Sequence, residues 1–129
     1  MRTIVRFRAG DAEYALPVED VTEVRSASEL TPLPAPRAGV AGLMTHGGDA
    51  LPVLSVLTEL GRHVLVMSTA DVHFGVLVDE VVGVERIGDE ILGPPPRGQD
   101  RDNVTGVIVE DGRLILLLDS AALGARLHP

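Results

Sequence analysis

The chain is patterned for short strands. Residues 2–8 alternate, with Ile4, Arg6 and Arg8 on one side and Thr3, Val5 and Phe7 on the other, the two-residue period of a strand. Gly10 and Asp11 supply a turn, and residues 13–17 return carrying Tyr14 and Leu16. Pro17 suits the first turn of a helix, so residues 17–20 are expected to make one helical turn before alternation resumes over 21–25. Residues 28–39 read as a loop. Pro32, Pro34 and Pro36 fall at every second position, which no central strand tolerates, although such an extended segment can cover a sheet edge. Two β-prone runs then flank Gly47-Gly48-Asp49, a hairpin signal, with Pro52 arguing for an edge or a bulge. Residues 55–61 are expected to form a short helix capped by Ser55 and stopped by Gly61. Strands follow at 63–69, 72–78 and 81–87. A second long loop at 88–102 carries Pro94, Pro95 and Pro96, a last hairpin spans 104–119, and Asp119-Ser120 caps a helix at 121–127.

The pattern is written twice. Gly42 to Gly48 is six positions, and so is Gly106 to Gly112. Tyr14-Ala15-Leu16-Pro17-Val18-Glu19-Asp20-Val21 matches Phe74-Gly75-Val76-Leu77-Val78-Asp79-Glu80-Val81, and Val24 matches Val84. Tyr14 and Phe74 are 60 positions apart, Gly42 and Gly106 are 64 apart, so the copies stay in register apart from about four extra residues. Two copies of about five strands each indicate a duplicated all-β barrel or sandwich. A length of 129 residues suggests one compact domain or two very small ones, and a half of about 60 residues buries too little surface alone, so the halves are expected to share a core.

Composition narrows the function. The net charge is −8, and the eleven basic residues, all arginine, are scattered along the chain, so no basic stripe tracks a phosphate backbone. Aromatics at 2% offer no stacking platform for single strands, and nucleic acid is set aside. No apolar run approaches the ~18 residues of a membrane span, and Arg2 and Arg6 break up the first apolar stretch, unlike a signal peptide. There is no cysteine, hence no disulfide or thiolate site. A cytoplasmic protein without membrane insertion is expected.

Catalytic patterns do not assemble. His46, His63, His73 and His128 show no metal-ligand spacing. Residues 100–103 lack the glycine and closing glutamate of a calcium loop. The adjacent acids Asp79-Glu80, Asp89-Glu90 and Glu110-Asp111 point to opposite faces of a strand. Ser68-Thr69 has no base or glycine elbow, and Gly47-Gly48 has no phosphate-loop context. Neither an enzyme nor a cofactor or metal is expected. What remains is surface: a groove between the two halves, lined by Val21, Gly42, Leu43 and Val78, suits an apolar helix or loop of another protein.

These residues also carry a resemblance to the CheW family of bacterial chemosensory adaptors. Residues 7–24, Thr31-Pro32-Leu33-Pro34, Val40-Ala41-Gly42-Leu43, Leu51-Pro52-Val53-Leu54, residues 75–84, Gly106-Val107 and residues 112–119 match in order and spacing over essentially the whole chain. The resemblance implies two packed five-stranded SH3-like β-barrels, roughly residues 10–61 and 62–118, with 1–9 and 119–129 packing on them and short helices including one at the C-terminus. It implies a non-enzymatic adaptor at chemoreceptor arrays. Its partners would be the cytoplasmic tip of a chemoreceptor, at Val21, Glu23, Gly42 and Val78, and the regulatory domain of a CheA-type histidine kinase, at Leu30, Pro32, Leu33 and Val53. Other CheW-like proteins are further partners that it suggests. The chain departs from the family pattern in the first half. The family writes Asn-Leu-Arg-Gly where this chain has Thr45-His46-Gly47-Gly48, an aspartate stands where Ser55 does, and the link at 58–63 is short. A glycine cannot replace an arginine's charged fork, so an adaptor that keeps receptor binding with weakened kinase coupling is expected. The alternative is a small-molecule-binding β-barrel regulator.

Overall fold

The computed structural model describes residues 1–95 and 103–127. The readings of Pro96, of residues 100–102 and of His128 lie outside the described residues. The strands are β1 (Arg2–Ala9), β2 (Ala12–Pro17), β3 (Val21–Ser26), β4 (Thr31–Arg37), β5 (Val40–His46) and β6 (Asp49–Leu54), then β7 (His63–Thr69), β8 (Val72–Val78), β9 (Glu80–Ile87), β10 (Leu92–Gly93), β11 (Val104–Glu110) and β12 (Arg113–Leu118). Among the described residues a single α-helix, α1 (Ser120–Ala125), follows. Asp119 caps it as expected, its Oδ1 accepting from the N–H groups of Ala121 and Ala122 at 3.0 and 3.2 Å.

The strands form two sheets, each curled around its own core. The first barrel runs β3-β7-β8-β6-β5-β4, the second β9-β1-β2-β12-β11-β10. Exchanging β1–β6 for β7–β12 turns one order into the other, so the duplication extends to topology. In both, the halves meet through a parallel pair: Val53 and Leu54 against Gly75 and Val76, and Ile115 to Leu117 against Glu13 to Ala15.

This order corrects the boundary expected at 61/62. The opening hairpin of each half sits in the barrel built from the other half: β1–β2 joins β9–β12, and β7–β8 joins β3–β6. The chain passes from one barrel to the other at two links. The three-residue 3-10 turn Val18–Asp20 separates β2 from β3, and Asp79 alone separates β8 from β9. The strands on either side of these two links do not pair with each other and lie in different sheets. The Asp79 crossover is clamped from the other barrel, its N–H donating to Arg8 O at 2.9 Å and its Oδ2 accepting from Gly10 N–H at 2.7 Å.

Three apolar cores follow. Ile4, Ala15, Ile87, Ile108, Ile115 and Leu117 fill the second barrel, and Met44, Leu51, Val53, Val64, Val66 and Leu77 fill the first. The third and largest lies between the barrels. Val5, Phe7, Ala9, Leu16, Val104 and Leu118 meet Leu54, Leu65, Met67, Phe74, Val76 and Val78, with Leu123 of α1 closing one end. Each large side chain fully buried there is worth about 1.5–3 kcal/mol. Alternation along one strand serves two cores: Ile4 of β1 points into its barrel, and Val5 and Phe7 point to the shared interface.

Two local expectations are revised. The proline segment is a strand at the sheet edge, where a missing N–H is tolerated. It pairs Thr31 with Leu43 and Pro32 with Gly42, then slips to pair Arg37 with Val40. With β10, likewise in a segment expected as loop, it brings each barrel to six strands rather than five. Residues 55–61 are not helical. Val56 and Leu57 pack against the central core, and Gly61 runs so close to β8 that an added Cβ would stand 2.4 Å from Val78 O. Packing outweighs the weak propensity of a segment too short to hold a helix alone.

Because each barrel needs a hairpin from the other half, severing the chain between Gly61 and Arg62 is expected to leave both fragments unfolded. Mixing them should restore dispersed amide NMR signals. A fragment that folds alone contradicts the exchange.

Candidate protein-binding surface

All eight residues expected to meet partners lie in or beside strands of the first barrel, but the structure divides them by depth. Glu23 and Pro32 are exposed, and Val21, Leu30 and Leu33 are half-buried. Val53 and Val78 are completely buried, Val53 inside the barrel and Val78 in the core between barrels. Gly42 is buried as well. These three shape the framework, and a partner does not reach their side-chain positions. The residues of the expected groove are spread over three strands, Val21 on β3, Gly42 and Leu43 on β5 and Val78 on β8, and Val21 packs on the central core that holds Val78. β3 is separated from β8 by β7, and β5 is separated from β8 by β6.

Gly42 has a specific structural task. A Cβ there would stand 2.2 Å from Thr31 O and 3.1 Å from Pro32 Cα, so only glycine lets β4 lie across β5. Gly106 does the same in the second barrel, where a Cβ would stand 2.9 Å from Gly93 O. The glycine spacing that revealed the repeat thus marks where each edge strand, β4 and β10, crosses its hairpin. Past Pro32 the β4 ladder slips, leaving a cleft of about 500 Å³ lined by Leu30, Pro32, Arg37, Ala41, Ser55 and Glu59 among others.

The rim of the first barrel is polar. Arg25 on β3 donates to both carboxylate oxygens of Glu29 and to the Thr45 carbonyl at the end of β5, tying the two strands together. Its hydrogen bond holds the Glu29 carboxyl below the usual carboxylate range, and Glu29 in turn raises the Arg25 guanidinium. Beside it, Glu23 Oε1 stands 3.4 Å from His46 Nε2. The Gly47–Gly48 turn has positive φ at both residues, 57° and 86°, and an added Cβ at either would meet nothing within 4 Å. The turn therefore opens onto a cleft of about 390 Å³ lined by His46, Gly47, Asp49, Ala50, Leu51 and His73.

The second barrel differs at the same end. Arg6, only 6% exposed, points inward from β1, its Nη2 2.9 Å from Glu13 and its Nη1 3.3 and 3.4 Å from Glu85 and Glu110. Arg113 adds a contact to Glu13 at 3.4 Å. A buried guanidinium needs such partners, since an uncompensated charge there is costly. The signal was present in the sequence, because Arg6 shares a face with Ile4. The outer surface of this barrel exposes Val82, Val84, Val109 and Leu114, the last two directly paired across β11 and β12.

Residues 3–127 match the family model described as a CheW-like domain. The chain belongs to the CheW-like family. It is 35% identical over 117 residues to Protein FrzA of Myxococcus xanthus, covering 82% of this chain and 73% of that one. It is 31% identical over 132 residues to the Chemotaxis protein CheW of Thermotoga maritima, covering 90% and 83%. The crystal structure of scaffolding protein TtCheW from Thermoanaerobacter tengcongensis superposes with a TM-score of 0.79 at 23% identity, covering 92% of this chain and 88% of that one. The architecture is the CheW fold of two SH3-like β-barrels.

If Gly42 acts through the fit of β4, Gly42→Ala should cost about 1–3 kcal/mol in denaturant unfolding. It should also shift the amide signals of Leu30 and Leu33. A neutral substitution would contradict this role.

Proposed function

We propose that this CheW-like chain is a non-enzymatic cytoplasmic adaptor that links the signalling tip of a chemoreceptor to the regulatory domain of a CheA-type histidine kinase. The observation that carries the reading is the family match over residues 3–127, with two-barrel architecture throughout. CheW-like proteins are scaffolds rather than enzymes, and among the described residues no three His, Cys, Asp or Glu side chains gather into a metal site. No helix among the described residues is long and apolar enough to cross a membrane.

In this reading the receptor meets the β3 side of the first barrel through Val21 and Glu23, and the kinase meets the β4 arch through Leu30, Pro32 and Leu33. The rigid barrel between them holds the two contacts at fixed separation, which is what a coupling scaffold requires. Gly42, Val53 and Val78 support these surfaces from beneath. The Gly47–Gly48 turn offers no side chain where the family carries arginine, so kinase coupling is weakened relative to receptor binding. The alternative of a small-molecule-binding barrel is disfavoured because both barrel cores are packed with apolar side chains and the buried Arg6 is already paired with glutamates.

A titration against a receptor tip and against a kinase regulatory domain tests both halves. Receptor-tip binding should be measurable and should fall roughly five- to ten-fold in Glu23→Lys. Gly47→Arg should tighten kinase binding by a similar factor. An unchanged kinase affinity in that variant contradicts the weakened-coupling clause, and no tip binding by the wild type contradicts the adaptor reading.

A further inference from the structure

The internal repeat allows the outer face of one barrel to be compared with that of the other, position by position. Phe7 pairs with Tyr14 as Met67 pairs with Phe74, so Val66 stands in the first barrel where Arg6 stands in the second. In the closing hairpins, Val109 pairs with Leu114 as Thr45 pairs with Ala50. The matched faces end differently. Along β12, Leu118 lies in the central core, Leu116 is half-buried and Leu114 is 60% exposed. Their partners on β11 follow the same gradient, with Val104 and Val107 buried and Val109 51% exposed. Directly paired residues share a face, so two apolar rows start in the core between the barrels and run out into solvent. In the first barrel the same rows end in Thr45 and the small Ala50. There α1 lies on the neighbouring β7–β8 hairpin so closely that a Cβ on Gly124 would stand 3.1 Å from Phe74. The segment that follows β6 as α1 follows β12 is the non-helical stretch 55–61. Its Val56 and Leu57 line a cleft of about 110 Å³ with Tyr14 and Leu116, and Val109 and Leu114 stay bare among the described residues.

The charge at this end of the second barrel is acidic. Its cations are already taken: Arg6 meets Glu13, Glu85 and Glu110, Arg113 meets Glu13, and Arg8 meets Glu80. Among the described residues, Asp11 and Asp111, exposed in the two hairpin turns at this end, have no ion partner. We propose that Val109 and Leu114, continued by Leu116, are a docking face for a cationic amphipathic helix of another protein. The apolar stripe of that helix covers the two rows, as α1 covers Phe74 in the first barrel, and its lysine or arginine side chains reach Asp11 and Asp111. A second copy of this chain is a poor occupant, because its net charge is −8 and like charges would meet. The receptor and kinase contacts proposed above lie on the first barrel, so this surface is separate from both.

The test is an NMR titration of the full chain with two synthetic helical peptides that share a leucine stripe, one otherwise rich in lysine and one otherwise rich in glutamate. The lysine peptide should move the amide signals of Val109, Leu114 and Leu116 and bind about ten-fold more tightly than the glutamate peptide. Val109→Thr with Leu114→Ala installs the residues that the first barrel carries at these positions, so the hairpin is kept. The lysine peptide should bind that variant about five- to ten-fold more weakly. Asp11→Asn with Asp111→Asn should weaken binding about two- to five-fold and reduce its salt dependence. Asparagine suits the positive φ of 48° at Asp111, so the turn survives the change. Equal binding of the two peptides, signals that move on another face instead, or unchanged affinity in either double variant overturns the proposal. Concentration-dependent dimerisation of the wild type that Val109→Thr with Leu114→Ala abolishes also overturns it, since a second copy would then be the occupant.

Discussion

The apolar core between the two barrels is the constraint on which the rest of the structure depends. Phe7, Leu16 and Leu118 from one side and Leu65, Met67 and Phe74 from the other are buried only while both barrels are present. Neither half of about 60 residues has enough apolar surface to do without the other. The exchanged hairpins make this sharing a matter of backbone pairing as well as of packing. β2 and β8 each bond on one flank to their hairpin partner and on the other, in parallel, to a strand of the opposite half. Where the chain crosses between barrels at Asp79, one residue carries it over, and two hydrogen bonds from β1 and its turn hold it.

A scaffold built this way keeps its surfaces in fixed relation. The receptor and kinase contacts proposed for the first barrel sit on strands whose other faces are core, and Arg25 ties β3 to the end of β5 across the rim. Burial decides which residues can do what. Val53 and Val78, completely enclosed, set the shape of the barrel, and Glu23 and Pro32 are available to a partner. The duplication has also been allowed to diverge where it matters: a buried guanidinium and three glutamates close one barrel, and valine with a rim of arginine, histidine and glutamate closes the other.

Much of the fold was legible because strand alternation and turn glycines are local signals. The hairpins and the Asp119 cap follow from residues that act within a few positions of themselves, the repeat from the recurrence of those signals, and the shared core from halves too small to fold alone. What was not legible depends on distant neighbours. The exchange of hairpins is decided by which strands complete each sheet, which no period in the sequence encodes. Residues 55–61 carry helix-boundary residues, yet Val56 and Leu57 are drawn to a core assembled from both halves. The proline segment reads as loop until its place at a sheet edge is known. Of the candidate site, the eight residues that the family resemblance pointed to fall on one barrel, but the sequence could not sort exposed from buried positions among them. Glu23's partner was hidden as well, because His46 and Glu23 meet only once the barrel has closed.

The central claim is that two barrels linked by exchanged hairpins form one cooperative unit. Native-state hydrogen exchange across both sheets tests it most directly. The account predicts that the slowest amides of β1 and β2 and those of β7 and β8 exchange at one common free energy, that of global unfolding. Two plateaus separated by more than about 2 kcal/mol, one for each barrel, would show that the barrels open independently and would contradict it.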